Sequence, residues 1–341
     1  MLSPRSATIL KSIVAQYIAR AVPVPSQSLI NKYELAVSSA TIRNEMAHLE
    51  QDGYITRPHP SAGSIPSDKG YRYYVETLSD IGLPSAEQIL IRHLFHQVER
   101  ELEEWLSLAA TLTAKLVQNV AIVAMPRPAN CQFKHLELVA LKESLALVVV
   151  VLHGAKVKQQ LINFDQAISP SELTIMANKL NAAYSGLTRA RILAKKIELS
   201  LTEEQLTDYL FKVMQAEDEQ EYEKSYLDGL HFTLNQPEFR HAHRVLPLME
   251  LVDYRNLLKT ILPEEMGSQG IQVIIGKENK AEAIQDCSVV IGQYGLPREA
   301  VGIIGVVGPT RMPYARTISA VSYLSSVLSQ LVAELYRKEP A

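Results

Sequence analysis

Hydrophobic and polar positions along this chain switch period several times, and the first 78 residues switch fastest. After Ser3-Pro4, with Pro at a first helical position, Ile9, Ile13, Tyr17 and Ile18 recur at helical spacing and predict a helix with one buried stripe. Pro25-Ser26 opens a second short helix, SQSLINKYE, with Leu29 and Ile30 inward. Five residues, Glu34 to Ser38, separate it from a third helix. There Ile42, Met46 and Leu49 form the apolar stripe, Ser38 or Ser39 supplies the N-cap, and Gly53 supplies the left-handed stop. Tyr54-Ile55-Thr56 is a β-rich run. Residues 57–64, RPHPSAGS, are turn formers almost throughout. Ser67 then caps a fourth helix, with Tyr71, Tyr74, Val75 and Leu78 on one face.

The rest alternates between the two periods. SDIGLPSA at 79–86 reads as a linker and the first domain boundary, and Glu87 to about Asn119 as one long helical stretch. FKHLELVAL, SLALVVVVL and KVKQQLINF, within 132–164, predict a three-stranded antiparallel meander. Helices at 171–185, 188–197 and 202–215 follow, then a charged run at 217–224, EDEQEYEK, that reads as a solvated face or linker. Beyond Ser225, YLDGLHFTL is strand-like, PEFRHAHRVLPLMELV and DYRNLLKTIL are helical, IQVIIGKEN, CSVVIGQYG and VGIIGVVGP are strands, and YARTISAVSYLSSVLSQLVAELY closes the chain as a helix. The expected class is α+β and multidomain.

The third helix carries the first functional signal. At 100° per residue Thr41, Asn44, Ala47, His48 and Gln51 cluster opposite the apolar stripe, with Ala40 and Arg43 on the flanks. These short, hydrogen-bonding side chains suit close approach to base edges. An ordinary solvated helix face is the plainer reading, but such a face normally carries more Lys and Glu. Helix, short joint, helix, then a hairpin with a basic, His-bearing tip is far more specific than any of its parts, and it describes a winged helix-turn-helix. On that reading Ala40, Thr41, Arg43, Asn44 and His48 read bases, while Lys11, Ser39, Arg57, His59, Lys69 and Arg72 serve phosphate or wing contacts.

ATIRNEMAHLEQDGYI followed by PHPSAGSIPSDKGYRYYV resembles the HrcA family, bacterial heat-inducible transcription repressors of the CIRCE inverted repeat. IGKENKAEAIQDCSVVIGQY and GIIGVVGPTRMPYARTISAVSYL resemble the C-terminal part of the same family. The resemblance implies three parts: a winged helix-turn-helix at 1–80, a GAF-like α/β domain at 84–130 and 225–341, and an inserted α+β dimerisation domain at 131–224. It further implies a homodimer, chaperone operons as targets, release on heat stress, and the GroE chaperonin as a partner. The chain departs from the family pattern at Pro60, where Thr is usual, and at Ser64, where Arg is usual at the wing tip. Phosphate contact then falls more heavily on Arg57 and Lys69.

Composition narrows the classes. With 341 residues and 47% hydrophobic, at a mean hydropathy of zero, the chain is expected to be an ordinary soluble protein of two or three domains. No signal peptide is read, and the longest purely apolar run, Leu145 to Leu152, is too short to span a bilayer. Cys131 and Cys287, with no CxxC, fit a reducing cytoplasm and no zinc site. Net charge is −3, yet residues 1–75 carry eight Lys and Arg against five acids, a balance of +3 that leaves −6 on the remainder. A basic head on an acidic body fits a modular DNA binder.

Other candidate chemistry reads as structural. Gly302, Gly305 and Gly308 lie inside an apolar strand without Gly-Lys-Ser/Thr, so close packing of backbone or a turn is expected in place of a nucleotide loop. Arg311 and Arg316 flank the start of the last helix, a place for a small-anion or partner-contact site, but structural ion pairs are the stronger expectation. The pairs His93/His96 and His241/His243 lack companion ligands and read as solvated. With no GxSxG, HExxH or spaced acid pair, no catalytic residue, metal or cofactor is expected, and the chain is read as a non-enzyme. Two alternatives stay open: a metabolite-sensing winged-helix repressor with its effector in the GAF-like domain, and an adaptor that uses the winged helix for protein or RNA contacts.

Overall fold

The computed structural model describes residues 2–32, 38–59, 62–79, 82–98, 101–127, 131–153, 157–195, 197–218, 224–240, 246–247, 249–250, 257–262, 270–296 and 300–338. The chain gathers into two compact units. One comprises Met1–Pro126, Lys224–Leu296 and Gly302–Ala341, the other Arg127–Glu223 with Pro297–Val301. Each combines helices with a sheet, and the chain is α+β.

The first unit opens with α1 (Pro4–Arg20), whose N-cap Ser3 accepts the Ser6 N–H. Next come α2 (Ser26–Lys32) and α3 (Ser39–Gln51). Ser38 Oγ caps α3 by accepting the Thr41 N–H at 3.2 Å, and Gly53, at φ +76°, turns the chain beyond it. The joint read at 34–38 lies outside the described residues except for Ser38. Ile42, Met46 and Leu49 of α3 join Ile9, Leu10 and Ile13 of α1 and Leu29 of α2 in one core. That arrangement is what the apolar spacing demands: removing such stripes from water is worth roughly 1.5–3 kcal/mol per side chain.

Strand β1 (Ile55–Thr56) pairs antiparallel with β2 (Ile65–Pro66), Ile55 opposite Pro66. Val24 and Ser64 exchange both backbone hydrogen bonds at 2.8 and 2.9 Å, an isolated bridge immediately before β2. Position 64 is therefore in the stalk of the hairpin and not at its tip. Ser64 is fully buried, which corrects the wing-tip placement expected for it. Pro60 lies outside the described residues. Helix α4 (Asp68–Glu76) follows, its N-cap Ser67 accepting the Gly70 N–H and donating to the Gly53 carbonyl.

The long helix expected over 87–119 is two helices, α5 (Ser85–Gln97) and α6 (Leu102–Val117). Val98 leaves α5 in extended conformation. Glu103 and Glu104 in the first turn of α6, where the helix dipole favours acids, are the signal that marks the second start. Strand β3 (Val120–Arg127), absent from the sequence reading, begins three residues after α6 ends, and its first five residues are buried on both faces. VAIVA has no alternation, as expected for a strand covered on both sides, so period gives it no signature.

In the second unit β4 (Phe133–Lys142), β5 (Leu145–Leu152) and β6 (Val157–Asn163) form an antiparallel sheet in that order. Helices α7 (Pro170–Tyr184), α8 (Arg189–Ala194) and α9 (Leu201–Asp218) follow. The inward side chains, among them Phe133, Leu136, Val148, Val150 and Ile162, share a core with Leu180, Leu206 and Leu210 of the helices. The other sheet face is mixed, with an apolar row next to His135, Glu137 and Gln159. Val139, Leu147 and Leu161 sit side by side across the three strands, and Val151 pairs with Val157 further along the same sheet. Leu161 is 55% exposed, Val157 57% and Val139 44%.

The chain returns through β7 (Ser225–Asp228), which pairs antiparallel with β3. The strand read over YLDGLHFTL stops there, because Gly229 at φ +85° turns the chain into α10 (Leu230–Leu234). A 3₁₀ turn spans Pro237–Arg240, and α11 is Leu257–Ile261. Most of the helical reading between them, His241 and His243 included, lies outside the described residues, as do 219–223 of the charged run. Strands β8 (Ile271–Ile275), β9 (Cys287–Leu296) and β10 (Ala300–Pro309) complete a five-stranded sheet, β7-β3-β10-β9-β8. A Cβ at Gly302 would collide with the Tyr294 ring and one at Gly308 with the Asn119 amide, so these strand glycines serve close packing.

Helix α12 (Tyr314–Lys338) packs on β9 and on α6. Its Tyr314–Leu335 stretch is long and apolar enough to cross a membrane by composition alone, but Val321, Leu324, Leu328 and Val332 are buried in the core. It is the covering helix of the sheet.

Candidate nucleic-acid interface

Helix α3 turns one face to α1 and leaves the other bare. Ala40, Arg43, Asn44, Ala47, His48 and Gln51 are on that outer side, and Thr41 is half-buried with its hydroxyl 3.0 Å from Ser38 Oγ. Ser39, also exposed, starts the helix beside that cap. Glu45 points the other way: it accepts the Ser6 hydroxyl at 2.6 Å and lies 3.9 Å from Arg5, tying α3 to the start of α1. The acid is thus withdrawn from the outer face, leaving it neutral to basic. An electronegative phosphate groove requires that of any helix that enters it.

The flanking residues divide into two groups. Arg57 and His59 are exposed on the loop between β1 and β2, and Lys11 is half-buried midway along α1. Arg57 pairs with Glu50 at 3.2 Å, an exposed pair of the kind worth little in water and readily exchanged for phosphate. Lys69 donates to the Asp52 carbonyl at 2.8 Å and lies over the Tyr54 ring at 4.3 Å, a contact that braces the end of α3. Arg72 is turned away from this set altogether. Its guanidinium bonds Glu278 through Nε at 2.9 Å and through Nη2, and gives Nη2 to the Val273 carbonyl at 2.7 Å. The bonds to Glu278 hold its proton more firmly than usual. The planar fork that a phosphate role for Arg72 would use is taken here by a carboxylate of the same chain.

The remaining candidates are engaged structurally. Arg311 bonds Glu238 through two nitrogens, the Gln236 side chain at 2.8 Å and the Ile18 carbonyl at 3.3 Å. Arg316 bonds Glu87 and the Leu116 carbonyl, each at 3.1 Å. His93 and His96 lie on the surface of α5, His93 bonding Gln97 at 2.9 Å. No group of three His, Cys, Asp or Glu arranged for a metal occurs among the described residues.

A polar helix face beside a hairpin loop, on a head of small helices, defines a DNA-binding regulator as the class to compare. The family model described as HrcA protein C terminal domain matches residues 103–318. Over 340 residues the chain is 54% identical to a heat-inducible transcription repressor HrcA of Dehalococcoides mccartyi, covering 100% of this chain and 99% of that one. It is 40% identical to the protein of that name from Roseiflexus castenholzii (98% and 96% covered) and 39% to that from Chloroflexus aurantiacus (98% and 95%). A crystal structure described as that of a hypothetical protein at 2.2 Å resolution superposes with a TM-score of 0.58 at 24% identity, over 98% of this chain and 99% of that one, a likeness of fold. The chain belongs to the HrcA family.

Proposed function

We propose that this protein, a heat-inducible transcription repressor by family, acts as a homodimer that lays one α3 in the major groove of each half of an inverted repeat. The observation that carries the reading is the bare face of α3, with Ala40, Thr41, Arg43, Asn44 and His48 outward and Glu45 withdrawn. Residues 1–80 then form a winged helix-turn-helix with the loop after β1 as its wing, and the five-stranded sheet with α6 and α12 is the GAF-like body. Residues 131–224 are the inserted dimerisation domain.

Energetics favour two heads. One helix offers two or three base contacts worth roughly 1–3 kcal/mol each. Specific binding must exceed non-specific binding by about 4–10 kcal/mol to find one site in a genome. A two-fold repeat doubles the readout of one head. The apolar row Val139, Leu147 and Leu161 on the outer face of the β4–β5–β6 sheet supports the placing of the dimer contact there. Chaperone operons as targets, a cytoplasmic location, and the GroE chaperonin as the partner that maintains the active form are carried by the family likeness. Heat release follows when a marginally stable body loses the geometry between the heads.

Salt dependence tests the phosphate assignments. Removing one phosphate anchor lowers the slope of log K against log salt by about 0.9. A dimer carries each anchor twice, so Arg57→Ala or Lys11→Ala should reduce the slope by roughly 1.8 and weaken repeat and scrambled duplexes alike. An unchanged slope in both variants removes these residues from the interface.

A further inference from the structure

The head does not stand apart from the sheet that follows it. Both lie in one compact unit, and one core runs from Ile9 and Ile42 through Tyr71 to Tyr314 and the strands. Around that core, among the described residues, polar contacts join them at two places. In the first, α4 meets the turn after β8. Asp68 accepts the Lys277 N–H at 3.0 Å, and its carboxylate sits so close to Gly276, at φ +54°, that a Cβ there would collide with both oxygens. One helical turn later Arg72 clasps Glu278 and the Val273 carbonyl, while Glu278 also accepts the Ile275 N–H at 2.8 Å. Between these two, Tyr71 stacks at a tilt on Tyr314, ring centres 5.8 Å apart, and Tyr314 bonds Ser288 Oγ at 2.7 Å. In the second contact Arg311, fixed by Glu238, reaches the Ile18 carbonyl in the last turn of α1. Carbonyls there have no partner within the helix, and a cation is favoured.

We propose that Asp68, Arg72 and Arg311 are positioning residues for DNA recognition. They fix the head to the sheet in one orientation, so the operator spacing the dimer accepts depends on this contact and not on a flexible linker at 79–86. The proposal rests on the dimeric reading above. Two points on the head, α4 and the end of α1, are each held by a charged group. Two separated points remove the rotation that a single pin would leave.

The test has two arms on the full-length protein. Without DNA, a dye on Gln51→Cys reports how the head tumbles; Cys131 and Cys287 are buried and leave the introduced thiol as the reactive one. The wild-type head should tumble only with the whole particle, and Arg72→Ala combined with Asp68→Asn should add a fast component while the circular dichroism of the folded chain is unchanged. On DNA, a series of duplexes with identical half-sites and stepped centre lengths should show one sharp optimum for the wild type. Arg72→Ala should lose at least fivefold at that optimum and less than twofold at neighbouring lengths, with single half-site affinity unchanged. The charge swap Arg72→Glu with Glu278→Arg should recover part of the loss at the optimum, since it restores the ion pair but not the bonds to the Val273 carbonyl and the Ile275 N–H. A fast component already present in the wild type overturns the proposal. So does an Arg72→Ala profile that matches the wild type, or one that binds tighter at every length. A slow wild-type head in a protein that ignores the inverted repeat refutes the operator reading while supporting the fixed head.

Discussion

Arg43→Ala with Asn44→Ala should abolish preference for the inverted repeat and leave the fold intact. Both side chains lie on the outer side of α3, and neither helps bury Ile42, Met46 or Leu49. Surface changes of this kind shift stability by about 0.5 kcal/mol or less. Their effect on DNA is much larger. Deleting two base-reading groups per head, at roughly 1 kcal/mol each as a lower bound, removes about 4 kcal/mol from a dimer, roughly a thousandfold in affinity. Binding should fall to the level of a scrambled duplex and keep its salt dependence, because the phosphate anchors survive. Anisotropy titrations of variant and wild type on both duplexes read this directly. If preference for the repeat persists, α3 is not the reading helix.

The second large effect concerns the insertion. Val139 and Leu161 flank Leu147 in one row across the outer face of the β4–β5–β6 sheet, 44% and 55% exposed. Val139→Asp with Leu161→Asp costs the isolated chain little, since both carboxylates remain in water. Inside a dimer seam the same charges are buried and unpaired, a penalty of several kcal/mol each. Sedimentation should show the variant as a monomer, and its operator affinity should drop to that of a single half-site. A variant that sediments as a dimer with wild-type affinity moves the dimer contact to another surface.

What could be read in the sequence follows from what period and capping record. The caps read at Ser67 and at Ser38 or Ser39 are local chemistry, and in the structure they are Ser67 and Ser38. The meander was legible because β5 alternates buried and half-buried positions along its whole length. β3 was not, because a strand covered on both faces loses alternation. The break between α5 and α6 escaped because apolar spacing continues across it, and only the acids at the new N-terminus mark it. Arg72 shows the limit for the site. A basic residue four positions after Asp68 on a head of net positive charge looks like a phosphate anchor. Its partner, Glu278, lies 206 residues away, where no local pattern reaches. Ser64 fails for a related reason: its burial depends on the backbone of Val24, far earlier in the chain.

The most direct measurement is a salt-controlled titration of the purified protein on a CIRCE inverted-repeat duplex and on a scrambled duplex of equal length. One dimer should bind per repeat, with a preference of about a thousandfold or more over the scrambled sequence, the range expected of specific regulators. Equal, weak binding to both duplexes would contradict the account of a dimeric, sequence-reading repressor.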